Sequence, residues 1–175
     1  MDGNPSNRLA GESSPYLKRH SSQAVAWHPW DGDAFQRASA DDRPVLVSIG
    51  YSTSWQCAAV DRYYEDPEVV GVVNDRFVPV KVDREERPEI DAHLTELLGL
   101  RNAEAAYPLT LFLTPEGAPY EARPAVLGDT PADFRTALEA AAARWTDDPD
   151  QTRRQASELA ERLKRSTAGA PRGEG

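Results

Sequence analysis

Three short apolar runs, divided by segments of helical spacing, constrain this chain more than any other feature. They are Pro44-Val45-Leu46-Val47-Ser48-Ile49-Gly50-Tyr51, Phe77-Val78-Pro79-Val80-Lys81-Val82-Asp83 and Leu109-Thr110-Leu111-Phe112-Leu113. Each is too short for a core helix and rich in β-branched residues, so each reads as a buried strand. Pro79 cannot donate to a ladder, which puts the second run at a sheet edge or an irregularity. Ser52-Thr53-Ser54 offers N-caps for a helical segment reaching Tyr64. Asp66-Pro67-Glu68 is a helix start, with Val69, Val72, Val73 and Phe77 on one face, and Arg87-Pro88-Glu89 opens another, with Ile90, Leu94, Leu97 and Leu98 inward. Residues 33–40 read as a short helix bearing Phe35 and Ala38, and 101–106 as a loop. Pro115-Glu116-Gly117 makes a tight turn that returns 119–123 as a fourth, antiparallel strand. Thr130-Pro131-Ala132-Asp133 starts a helix whose buried stripe is Phe134, Leu138, Ala141 and Trp145.

Strands divided by helices predict parallel pairing through right-handed crossovers, with the hairpin adding an antiparallel strand. The fold class is α/β: a mixed central sheet with helices on both faces, the element order of a thioredoxin fold with an N-terminal extension. Residues 1–30 are polar and turn-rich but hold Tyr16, Leu17, Trp27 and Trp30, an arm that packs on the domain of residues 31–146. Asp147-Asp148-Pro149-Asp150 breaks the last core helix. Residues 147–175 read as a charged tail, helical over 151–165 and then disordered. With 29 acidic against 20 basic side chains and no Lys/Arg cluster, nucleic acid and anionic membrane are excluded as default partners. No apolar run approaches a membrane span and no cationic segment leads into an apolar one, so a cytoplasmic protein is expected. The wealth of Arg and Ala reads as a bacterial coding bias.

A single cysteine, Cys57, rules out an internal disulfide, a two-thiol redox cycle and a Cys-rich zinc cage within the chain. It closes the run Ser54-Trp55-Gln56-Cys57 at the start of the helix after the first strand, where a helix dipole favours thiolate. In a Cys-x-x-Cys pair the first sulfur attacks and the second resolves. Here the first position is Ser54, whose hydroxyl cannot form a mixed disulfide. Cys57, a turn into the helix, reads as a small buried hydrophobe or as a functional monothiol. His20, His28 and His93 offer no short ligand pair with each other or with Cys57, so no metal and no cofactor are expected, and the histidines read as surface or capping residues. Asp83, Glu85, Glu86, Glu89 and Asp91, interleaved with Arg84 and Arg87, read as a solvated loop. Tyr51, Trp55, Tyr63, Tyr64 and Tyr107 either line a groove beside the Ser54–Cys57 turn or belong to the core.

Several strings resemble the thioredoxin-like domain of the YyaL and spermatogenesis-associated-protein family, a domain of unknown function. Asn7-Arg8-Leu9-Ala10, Ser14-Pro15-Tyr16-Leu17 and Trp27 with Pro29-Trp30 are similar to its N-terminal signature. Ser48-Ile49-Gly50-Tyr51-Ser52-Thr53 resembles its approach to the active site, and Val82-Asp83-Arg84-Glu85-Glu86-Arg87-Pro88 with Ile90-Asp91 its most characteristic string. Pro108-Leu109-Thr110, Phe112-Leu113-Thr114-Pro115 and Gly117 resemble its Trp-Pro-Leu-Thr strand and turn. The resemblance spans residues 7 to about 145. It implies a thioredoxin-like fold, with Pro108 as a cis-proline facing the active-site turn after Tyr107, where the family usually has Trp. It also makes the acidic string a structural network or a partner-facing surface. The family's Cys-His-Trp-Cys-His is here Ser54-Trp55-Gln56-Cys57-Ala58, and the resemblance covers the thioredoxin-like part but not the long α-helical toroid that usually follows it in the family. Dithiol oxidoreductase activity therefore does not carry over. The expectation is a partner-binding or accessory module that takes a protein or peptide at Trp55, Gln56, Tyr107 and Pro108. The alternative is a monothiol redox enzyme or sensor acting through Cys57. Oligomeric state is left open.

Overall fold

In chain order the elements are α1 (Pro15–Lys18), α2 (Gly32–Asp41), β1 (Val45–Gly50), α3 (Trp55–Asp61), α4 (Pro67–Arg76), β2 (Val78–Asp83), α5 (Pro88–Leu97), β3 (Leu109–Leu113), β4 (Pro119–Arg123), α6 (Pro131–Asp147) and α7 (Pro149–Ala168). The structure, a computed structural model, describes residues 4, 6–97, 107–123 and 130–168. Leu98, the loop expected over 101–106 and the end of the tail from 169 lie outside the described residues.

The four strands form one sheet in the order β2-β1-β3-β4. β1 and β2 are parallel, with Val45 opposite Val78 and Gly50 opposite Asp83. β3 runs antiparallel to β1, with Leu109 opposite Ile49 and Leu113 opposite Val45. This corrects the expectation that the helix-separated strands all pair in parallel. The chain leaves the sheet at Asp83, level with Gly50, and re-enters at Leu109, beside Ile49, which is the same end. A strand that begins at the end where its predecessor stopped must run back. β4 continues the antiparallel half, with an irregularity between Phe112 and Leu113. β2 is the edge strand that Pro79 calls for. Its outer side carries one isolated bridge, in which His28 N–H donates to the Pro79 carbonyl (2.9 Å) and Lys81 N–H to the His28 carbonyl (2.9 Å).

Alternation along β1 sorts the core into two layers. Val45, Val47 and Ile49 pack against Ala34 and Ala38 of α2 and Ile90 and Leu94 of α5. Leu46 faces the other way, with Val69 and Val73 of α4 and Phe134, Leu138 and Ala141 of α6. The helix starts are set locally. Asp66 accepts from the Glu68 and Val69 amides at 3.0 and 3.2 Å, with Pro67 at the first helical position. Thr130 and Asp133 close a reciprocal capping box at α6. Leu9, Tyr16, Leu17, Val25 and Trp27 of the N-terminal segment are buried in the α4/α6 layer. On α7, Thr152 and Ala156 are buried. Among the described residues, no helix is long and apolar enough to cross a membrane.

Candidate functional site

β1 ends at Gly50, and its continuation delivers Ser54 in an extended conformation as the N-cap of α3. The Ser54 hydroxyl accepts the Cys57 amide at 3.1 Å, so serine at this position does a helix-capping task. The four residues of the turn divide sharply by exposure. Trp55 is 67% exposed, the one exposed large hydrophobic among the described residues, whereas Ser54 and Cys57 are buried and Gln56 is half-buried. Burial pushes the Cys57 thiol up, against the opposing pull of its contact with Ser54, so it is protonated near neutral pH. Gly50 must be glycine here. A Cβ on it would overlap the Tyr16 hydroxyl and stand 3.0 Å from Cys57 Sγ.

Asp61 lies four residues beyond Cys57, on the same side of α3. Its carboxylate takes the Lys81 ammonium at 2.9 Å, the Tyr16 hydroxyl at 3.2 Å and His20 Nε2 at 3.4 Å. Lys81 is fully buried. It also donates to the Ser48 hydroxyl at 3.4 Å and lies over the rings of Trp27, Tyr16 and Tyr64, 4.7, 5.2 and 5.5 Å from their centroids. Burial works to raise the Asp61 carboxyl, but Lys81 first and then His20 draw it down to about 2. Burial, reinforced by Asp61, drives the Tyr16 phenol far above its ordinary value. His20 is lowered by burial, although Asp61 pulls the other way, and is neutral at pH 7. Tyr16, His20, Ser54, Cys57 and Asp61 together line a cleft of about 170 Å³. The thiol thus sits above a buried ion pair, protonated and shielded.

On the other flank, the Tyr107–Pro108 peptide bond is cis. Tyr107 meets Tyr51 edge-on at 5.9 Å, and the Arg84 guanidinium stacks 4.4 Å from the Tyr107 ring and 5.5 Å from the Tyr51 ring. Asp91 fixes this group: it accepts from the Tyr107 hydroxyl at 2.8 and 2.9 Å and pairs with Arg84 at 3.6 Å. The result is an aromatic and cationic rim that Tyr51 joins to the start of α3, its carbonyl accepting the Ser54 amide at 3.4 Å.

Three sequence expectations need correction. Tyr63 and Tyr64 do not reach this rim, because the 3-10 turn Arg62–Glu65 carries them to the far end of α3. There Tyr64 packs between Trp27 and Phe134, and Tyr63 against Phe134. His20 and His28 are buried, since the N-terminal segment folds over the sheet and presses one against Asp61 and the other against the β2 edge; His93 alone is exposed. The acidic string is not wholly solvated either. Glu85, Glu86 and Glu89 are exposed, but Asp91 is buried, and so is Asp83, which accepts the Ser14 hydroxyl at 2.7 Å. The Tyr16, His20, Asp61 and Lys81 cluster was missed by reading the sequence. Its available signals were a lysine inside an apolar strand run and a carboxylate one turn beyond the lone thiol.

Residues 6–164 match the family model described as "Protein of unknown function, DUF255", Thioredox_DsbH. Spermatogenesis-associated protein 20 from Homo sapiens and from Rattus norvegicus is 34% identical over 143 residues, 79% of this chain and 18% of each relative. Uncharacterized protein B0495.5 of Caenorhabditis elegans is 38% identical over 111 residues, 63% of this chain and 15% of that one. The chain therefore spans less than a fifth of the length of these curated relatives. Among solved structures, DsbH Oxidoreductase aligns with a TM-score of 0.54 at 14% identity, over 78% of this chain and 94% of that one. A thioredoxin from Thermus thermophilus aligns with a TM-score of 0.54 at 22% identity, over 66% and 85%. At these identities the likeness is one of fold.

Proposed function

The chain belongs to the DUF255 family of thioredoxin-like domains, and from that premise we propose that it binds a polypeptide or protein partner without turning over disulfides. The observation that carries this reading is the occupancy of the Ser54–Cys57 turn. Where a dithiol site needs its exposed attacking sulfur, Ser54 is committed as the α3 N-cap, and the remaining thiol is buried behind it with its pKa raised. Two-electron exchange through an internal disulfide requires a second thiol, and Cys57 is the single cysteine of the sequence. What the turn and its flank present as surface is the exposed Trp55 indole with the half-buried Gln56 and Tyr107, the last held by Arg84 and Asp91, whereas Pro108, expected among the contact residues, is buried. Aromatic anchors of this kind, rigid and partly polar, are what peptide-binding surfaces use. A monothiol enzyme or sensor would need Cys57 accessible as thiolate, and its burial weighs against that alternative. A cytoplasmic setting is part of the proposal.

The test is tryptophan fluorescence of the intact chain titrated with a reduced, carboxymethylated unfolded polypeptide. The proposal expects a saturable change that Trp55→Ala or Tyr107→Ala removes while circular dichroism stays native. A saturable change that survives both substitutions would place recognition elsewhere, and no change at millimolar ligand would sink the binding role.

A further inference from the structure

A second cleft lies along the outer edge of β2, where Val78 and Pro79 meet the N-terminal segment. It holds about 390 Å³, and among the described residues its charged lining is all of one sign: Arg8, Arg37 and Arg43, with His28 at the wall and no carboxylate. In a chain with a net charge of −9 this is a local inversion of sign. The arginines are held in place from outside the lining. Arg8 pairs with Asp33 at 3.3 Å, and Arg37 and Arg43 share Asp41 at 3.1 and 2.9 Å. Arg43 is also braced by the Asn74 and Phe77 carbonyls at 2.7 and 3.0 Å. Two carboxylates, Asp33 and Asp41, thus anchor three guanidinium groups at a pre-formed cleft, and Asp31 is a third carboxylate whose charge reaches His28. Two buried nitrogens of lining residues, Arg43 Nε and His28 Nδ1, have no hydrogen-bond partner among the described residues, which is costly in a native core unless a further partner is at hand. Three arginines and an imidazole on the wall of one cleft form a donor set that recognises oxyanions, which guanidinium groups bind with paired, charge-assisted hydrogen bonds.

We propose that the Arg8, Arg37, Arg43 and His28 cleft is a binding site for a small polyanion carrying two or more oxyanion groups, phosphate or carboxylate. Its volume admits more than a single phosphate. His28 is its reporter. Burial lowers the imidazole first, then Arg8; Asp31 opposes them, Arg37 adds to the lowering and Asp33 again opposes. An anion in the cleft would offset the arginines and raise the imidazole, so binding strengthens as pH falls through the His28 titration.

The test follows the His28 ring signals of the intact chain by NMR during titration with sodium pyrophosphate, with citrate, and with sodium chloride at matched ionic strength. The proposal expects saturable shifts with pyrophosphate or citrate beyond the chloride control, and a rise in the His28 pKa of about one unit at saturation. Tighter binding of pyrophosphate assigns the site to phosphates and tighter binding of citrate to carboxylates; either supports it. Arg8→Gln with Arg37→Gln, both half-exposed positions, should weaken binding about tenfold or more. If the double variant loses its native circular dichroism, Arg37→Gln alone serves, with a smaller loss. Shifts no larger than those in chloride, or a natively folded variant that binds as well as the wild type, would overturn the proposal.

Discussion

Lys81→Met isolates the buried ion pair beneath the candidate site. Methionine fills the space of the lysine stem and removes the ammonium, leaving Asp61 with only Tyr16 and His20. Holding the Asp61 carboxyl at about 2 rather than its ordinary 3.8 corresponds to about 2–3 kcal/mol of stability above pH 4. Breaking a buried pair and leaving one charge behind typically costs about 3–5 kcal/mol. At pH 7 the variant should therefore lose about 3–5 kcal/mol, a fall in Tm of roughly 6–20 °C for a domain of this size. The pH dependence has a definite sign. In the wild type, the depressed carboxyl contributes stability that is fully present above about pH 4 and is lost as pH falls through about 2. In the variant, burial without the lysine raises the same carboxyl, so acidification relieves a penalty. The gap between the two proteins should be widest near pH 7 and close towards pH 3. Urea unfolding followed by circular dichroism at pH 7, 5 and 3 measures it. A loss under about 1 kcal/mol at pH 7, or a gap unchanged between pH 7 and 3, would show that Lys81 does not hold the Asp61 carboxylate in its ionised form.

Further expectations concern the turn itself. Cys57 should resist iodoacetamide at pH 7 in the native chain and react at once in 6 M guanidinium, read by mass spectrometry; rapid native alkylation would contradict its burial. Gly50→Ala should destabilise by about 1–3 kcal/mol, because the added methyl meets Tyr16 and Cys57, and an unchanged urea midpoint would mean this packing is looser than described. Ser54→Ala should cost about 1 kcal/mol through the lost cap, whereas Trp55→Ala, on an exposed side chain, should stay within about 0.5 kcal/mol of the wild type in the same assay.

What was legible in the sequence was what is encoded within a few residues. Asp66-Pro67-Glu68 and Thr130-Pro131-Ala132-Asp133 start helices where read, because the cap and the proline act within one turn. Pro115-Glu116-Gly117 returns the chain as β4, with Gly117 at φ 91, because the turn residue itself supplies the positive φ. The direction of β3 was not legible, since it depends on which end of the sheet the chain re-enters after α5, and that is set by packing. The cluster around Asp61 stayed hidden for the same reason. Tyr16, His20, Asp61 and Lys81 come from α1 and its flank, α3 and β2, and only the folding of the N-terminal segment across the sheet brings them to one carboxylate. The Ser54–Cys57 turn was readable as a helix start, but its exposure pattern, indole out and thiol in, needed the neighbours Gly50 and Tyr16.

Reduction of insulin disulfides by dithiothreitol, run with the wild-type chain and with Ser54→Cys, decides whether this domain exchanges disulfides. The wild type should give no rate above dithiothreitol alone, and Ser54→Cys, which restores a second sulfur one turn from Cys57, should give a measurable rate. Robust turnover by the wild type would contradict a thioredoxin-like domain that binds without dithiol exchange.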